Sequence, residues 1–128
     1  MTDTADYVAD AARVAEQNDA FRRRVCLGSS YPPEMPSLAG RLVCTAGVSA
    51  KGMRFVNACL RATGFFTDFP NDNDPDGFHD FGAVQIAGTN VLFKIDHYAD
   101  ADMEWGSEAP DDPARTFRVL TILLASDW

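Results

Sequence analysis

Histidine is scarce: only His79 and His97 occur among 128 residues. Neither lies in H-E-x-x-H or a related ligand spacing, which excludes a structural zinc site. Cysteine is also rare and odd in number, at Cys26, Cys44 and Cys59, with no C-x-x-C pair. That pattern fits neither a disulfide framework nor a metal knuckle. Cys44 and Cys59 read as small core residues. Cys26 follows Arg22, Arg23 and Arg24, cations that favour a thiolate. A nucleophile also needs a base and an orienting partner, which spacing does not supply. No apolar run approaches the roughly 20 residues of a membrane span. The N-terminal MTDTADYVAD is acidic and lacks the apolar core of a secretory signal. A cytoplasmic location and no membrane partner are expected. Phosphate-cradling glycine loops and nucleophile elbows are missing, so no cofactor is implied. Positive charge is short as well: 11 basic residues stand against 19 acidic, a net of −8. That argues against direct nucleic-acid binding by phosphate neutralisation.

What is present fits one globular domain over 1–128, with hydrophobic residues at 46% supplying enough apolar surface for its own core. Residues 4–24 read as a surface helix. Thr2 and Asp3 offer its cap, and Tyr7, Val8, Ala11, Val14, Ala15 and Phe21 form its stripe. The proline-rich 27–40 is a loop and 41–48 a strand. A second helix runs from Lys51 to Ala62 and stops at Gly64. Phe65, Phe66 and Phe69 suggest a short strand ending at Pro70.

Residues 80–87 and 90–98 read as a hairpin about the turn Gly88-Thr89. That turn sets Asp80 opposite His97, Gly82 opposite Ile95, Val84 opposite Phe93 and Ile86 opposite Val91 on an apolar face. The other face carries His79, Phe81, Ala83 and Gln85 against Tyr98, Asp96, Lys94 and Leu92. Residues 117–125 are apolar on both alternating faces, as in a central strand. The expected class is α+β: an antiparallel sheet of about four to five strands with two helices packed on one face.

Charge is unevenly distributed. Residues 1–61 hold eight basic and six acidic side chains, whereas 62–128 hold three basic and thirteen acidic. Lys94 is the only cation between Arg61 and Arg115. The acids fall mainly in the loops 70–78 and 99–114. Asp72, Asp74, Asp76, Asp100, Asp102, Glu104, Asp111 and Asp112 are the candidate partner-binding residues. They would meet the basic surface of a protein that handles nucleic acid, with carboxylates standing where phosphates lie. Asp72-x-Asp74-x-Asp76-Gly77 matches the start of a calcium loop, but its twelfth position is Ala83 and Pro75 stiffens it. An EF-hand is excluded, and a looser oxygen-ligand cation site on Asp72, Asp74 and Asp76 is the alternative. His79, Asp80, Asp96 and His97 form an alternative acid–base site, metal-dependent or not. Against it, Asp80 and His97 are expected to satisfy each other at the end of the core. A further alternative is a homodimer joined through Phe81, Leu92 and Tyr98.

Three segments carry a resemblance. They are Asn73-Asp74-Pro75-x-Gly77-x-His79-Asp80-Phe81-Gly82, Lys94-Ile95-Asp96-x-Tyr98, and Arg118-Val119-Leu120-Thr121-Ile122-Leu123-Leu124-Ala125-Ser126. With Asn18-Asp19-x-Phe21-Arg22 and Thr45-Ala46-Gly47-Val48, they resemble domain of unknown function family 3768 over about residues 17–128. The chain ends in Asp127-Trp128 where the resemblance leads one to expect Glu-Tyr. The family carries no assigned activity. The resemblance implies a small bacterial protein, often encoded on mobile elements, whose accessory proteins often act on host defence. Joined to the charge layout, this gives the expectation of a non-enzymatic binding protein of counter-defence type (anti-restriction or anti-CRISPR), a DNA mimic or inhibitor of a nucleic-acid-handling enzyme.

Overall fold

The computed structural model describes residues 8–128. Helix α1 spans Ala11–Leu27, shorter at its start and longer at its end than the expected 4–24. Asp10 is the reason for the start: its carboxylate accepts from the amides of Ala12 and Arg13, leaving fewer orphan donors in the first turn. Thr2, Asp3 and Tyr7 lie outside the described residues.

Strand β1, Gly40–Cys44, is shorter than the expected 41–48. Thr45 ends it by accepting from Val48 N–H at its hydroxyl, which starts the four-residue helix α2, Ala46–Ser49. Helix α3 follows at Met53–Gly64. The expected strand at Phe65, Phe66 and Phe69 does not form. Arg22, fully buried on α1, donates to the carbonyls of Thr63 and Phe66 at 2.9 and 2.8 Å. Its guanidinium lies 5.1 Å from the Phe69 ring centre. The chain leaving α3 is therefore held by a side chain instead of a strand partner.

Strands β2 (Phe81–Ile86), β3 (Thr89–Tyr98) and β4 (Phe117–Leu124) complete a four-stranded sheet in the order β1-β4-β3-β2. The α+β class and the central position of β4 agree with the sequence. The sheet is mixed, however, because β1 runs parallel to β4. Periodicity in non-consecutive strands carries no information on their direction.

The hairpin register also differs from expectation. Its turn is Ala87-Gly88, with φ of 49° and 79°, a type I′ geometry that follows the strand twist. Gly82 therefore faces Phe93, and Val84 faces Val91. Each partner moves by two residues, so the side chains keep their faces. The Asp80 carbonyl accepts from Ile95 N–H at 2.8 Å, so Asp80 no longer stands opposite His97.

Val91, Phe93, Ile95, Leu120 and Ile122 form the core with Phe21 of α1, Val48 of α2 and Cys59 of α3. Gly82 makes room at the β2 end of this core. A Cβ there would lie 2.3 Å from the Phe93 ring and 2.9 Å from Phe66. Gly82→Ala is expected to lower stability by about 1–3 kcal/mol through overpacking, read as a lower urea midpoint. An unchanged midpoint would contradict this packing.

Candidate functional site: the acidic end of the sheet

Three consecutive residues of α1, Gln17, Asn18 and Asp19, organise the end of the sheet where β2 begins and β3 ends. Gln17 and Asn18 are buried. Asn18 Nδ2 donates to the Phe78 carbonyl at 2.9 Å, and the Asn18 amide meets His97 Nε2 through Nδ2 at 2.9 Å and Oδ1 at 3.2 Å. Asn18 Oδ1 accepts from Arg118 Nε at 2.8 Å. Gln17 Oε1 accepts from Arg118 Nη2 at 2.6 Å, and Gln17 Nε2 donates to the Asp111 carbonyl at 2.9 Å. Arg118 Nη2 also donates to the Pro110 carbonyl at 2.9 Å. One helical turn thus grips the 70–78 loop at its last residue, Phe78, and the 99–114 loop at Asp111, with Arg118 holding Pro110.

Asp19 adds a second hold. Its carboxylate accepts from Arg22 Nη1 at 2.9 Å and meets His79 Nδ1 at 3.0 Å. The His79 ring stacks on Phe69 at 4.1 Å between centres. His79 adopts φ 55°, a left-handed conformation that costs a non-glycine residue energy. Asp74 holds it there, accepting from the amides of Phe78 and His79 at 3.0 and 3.1 Å.

The candidate carboxylates therefore divide. Asp72, Asp76, Asp100, Asp102 and Glu104 are exposed. Asp74 and Asp111 are 5% and 7% exposed, and both face inward. Asp111 accepts from the Asp10 amide at 3.0 Å, which ties its loop to the start of α1. Asp112 is half-buried and caps a short 3-10 turn by accepting from Ala114 N–H. Inward burial removes Asp74 and Asp111 from any contact surface. Of the three carboxylates of the cation alternative, Asp74 is spent on the amides of Phe78 and His79, whereas Asp72 and Asp76 are exposed. Among the described residues, no group of three His, Cys, Asp or Glu side chains is placed to hold a metal ion.

The acid–base alternative is not assembled either. Asp96 turns to the opposite sheet face and pairs with Lys94 at 3.0 Å. His97 bonds to Asn18 instead of Asp80. Burial, then the neighbouring Arg118, pulls the His97 pKa down to about 4. Burial, then Asp74, raises that of Asp80. Cys26 is not activated: burial pushes its thiol up to about 12 and outweighs the pull of Arg22. Cys44 and Cys59 are raised by burial too.

Gln17, Asn18, Asp19 and the buried arginines were missing from the candidate set. Helical periodicity assigns such residues to solvent, since they are seldom fully buried. For Asn18, Asp19, Arg22 and Arg118 the one signal is that they stand in the segments that resemble the family; Gln17 has none.

The family model described as protein of unknown function (DUF3768) matches residues 44–127. The chain belongs to this family. No curated protein and no solved structure matches it. The matched span holds His79, His97 and Arg118 but not the α1 residues that bind them. The resemblance over about residues 17–128 thus extends beyond the match. Among the described residues, no helix is long and apolar enough to cross a membrane.

The His97 contacts set a pH dependence. Burial, with Arg118 beside it, keeps the His97 ring neutral at pH 7. A histidine with a lowered folded pKa binds a proton more readily when unfolded. Stability therefore falls as pH drops from about 6.5 towards about 4. The expected loss is about 3 kcal/mol at its limit. Asp80, with its raised pKa, acts in the opposite sense over the acid range. Urea unfolding of wild type and His97→Gln at pH 7 and pH 4.5 separates the two. Wild type should lose more stability than the variant on acidification; equal losses would refute the assignment.

Proposed function

We propose that the chain is a non-enzymatic acidic binding protein that docks the loop-bearing end of its sheet on a basic surface of a nucleic-acid-handling protein. In the bacterial setting implied by its family, that partner is a nuclease or defence complex, and occupancy of its nucleic-acid site is inhibition. One observation carries this reading: the anchors of both acidic loops are adjacent residues on one turn of α1. The exposed carboxylates of Asp72 and Asp76 and those of Asp100, Asp102 and Glu104 therefore leave from a common base. Lys94, the one cation in this stretch of sequence, is engaged by Asp96. Like charges held on a common base add their fields, speed encounter with a cationic groove and make it salt-sensitive. Asp74 and Asp111 contribute by holding backbone in place, and their role is positional.

The test uses two variants in a pull-down from nuclease-treated bacterial lysate at low and high salt. The first neutralises Asp72, Asp76, Asp100 and Asp102 to Asn; the second is Asp127→Asn, outside the two loops. Wild type and the second variant should recover one nucleic-acid-handling protein at low salt and inhibit it. The first variant should lose it, with association slowed roughly ten-fold or more. Undiminished recovery and inhibition by the first variant would refute the reading.

A further inference from the structure

Strand β2 is an edge of the sheet. Its hydrogen bonds to β3 follow from the bond between Ile95 N–H and the Asp80 carbonyl. Residues 80, 82, 84 and 86 then form the bonded pairs of the ladder. Phe81, Ala83 and Gln85 direct both their N–H and C=O groups away from β3. Among the described residues, no hydrogen bond occupies these groups.

Soluble proteins usually blunt such an edge with charge, proline or a bulge. FGAVQI contains no charged residue and no proline, and its register with β3 is unbroken. The outer face beside it is shaped in two parts. Phe81 and Trp128 form an aromatic knob, with ring centres 5.9 Å apart and Trp128 73% exposed. Next to the knob lies a hollow of about 310 Å³ lined by residues that include Ala83, Gln85, Asn90, Leu92 and Ala125.

We propose that β2 is a homodimer interface in which a second copy pairs antiparallel, with Ala83 opposite the partner subunit's Ala83. This register sets Phe81 opposite the partner subunit's Gln85, and Gln85 opposite the partner subunit's Phe81. It engages all three outward-directed residues of each strand, whereas a slip of two positions leaves one of them unpaired. Paired residues share a face, so Gly82 and Val84 stay on the core side in both copies. The knob of one copy then meets the hollow beside the partner subunit's Gln85, twice by symmetry, which is the self-complementarity of a two-fold contact.

Charge selects the same arrangement. Each chain carries −8, and its acidic loops lie at the Phe81 end of β2. Antiparallel pairing puts the two acidic ends at opposite extremes of an eight-stranded sheet. Parallel pairing would press them together. An edge without charge lets two such molecules meet without like-charge contact along the paired strands. This dimer does not depend on the binding function proposed above.

The test is sedimentation velocity over a concentration series of the full chain, with Ala83→Pro and Ala83→Lys beside it. Proline at position 83 removes an outward N–H and no β3 bond, and lysine there reaches solvent in the monomer. Wild type should sediment as a dimer that dissociates on dilution. Both variants should raise the dissociation constant at least ten-fold with an unchanged circular dichroism spectrum. If Ala83→Pro fails to fold, Ala83→Lys decides. The register is tested by oxidation of Ala83→Cys and Gln85→Cys. Directly opposed bonded residues have Cα atoms about 5.5 Å apart, within disulfide reach. Ala83→Cys should give a covalent dimer, and Gln85→Cys, which faces the partner subunit's Phe81, should not. Wild type that stays monomeric to its solubility limit overturns the proposal. So does a dimer that survives Ala83→Lys, or cross-linking by Gln85→Cys in place of Ala83→Cys.

Discussion

The structure depends on a buried guanidinium. Arg118 is fully buried on the central strand, and its hydrogen bonds go to the neutral oxygens of Gln17, Asn18 and Pro110. Burying a charge without an ion pair is costly unless strong dipoles replace water. Charge-assisted hydrogen bonds are the stronger kind, and here they reach from β4 to α1 and to the 99–114 loop. Burial lowers the Arg118 pKa to about 10, so the side chain stays charged at neutral pH. Among the described residues, Nη1 is buried without a partner, so each remaining acceptor counts, and the bonds of Nε and Nη2 tie the geometry of the three elements together.

This constraint also decides how an acidic protein keeps its acidic loops in place. Carboxylates concentrated at one end repel each other, and a loop without an anchor would move apart from its neighbour. Asn18 and Asp19 hold the end of the first loop through Phe78 and His79, while Gln17 holds the second. Asp74 and Asp111 are spent inward on backbone amides, and the remaining carboxylates stay outside. Arg22 serves the adjoining segment in the same way, fixing the exit from α3 and the Phe69 ring on which His79 stacks. Two buried arginines from a chain poor in cations thus shape the acidic end.

Much of the fold was legible because it follows from spacing. The alternation in 80–98 identified the core side of the hairpin, and the two-sided apolar run at 117–125 identified the central strand. The turn was misplaced because Ala87 accepts a left-handed conformation that side-chain type alone does not announce. The parallel direction of β1 is a long-range choice that no local pattern encodes. Of the candidate site, the two loops were legible as charge clusters. The inward turn of Asp74 and Asp111 was not, since exposed and backbone-capping aspartates share the same loop chemistry. Gln17, Asn18 and Arg118 stayed hidden because their burial is stabilised by one another and by the distant carbonyls of Phe78, Pro110 and Asp111, partners that no local pattern encodes.

The most direct measurement is amide hydrogen exchange on Asn18→Ala compared with wild type. Removing this side chain deletes the bond to Phe78 and strands Arg118 Nε. Exchange should accelerate together in 76–80 and in 107–112, with the core amides of β4 around Ile122 keeping their protection. Acceleration confined to 76–80, with 107–112 unchanged, would contradict the account that one network holds both acidic loops.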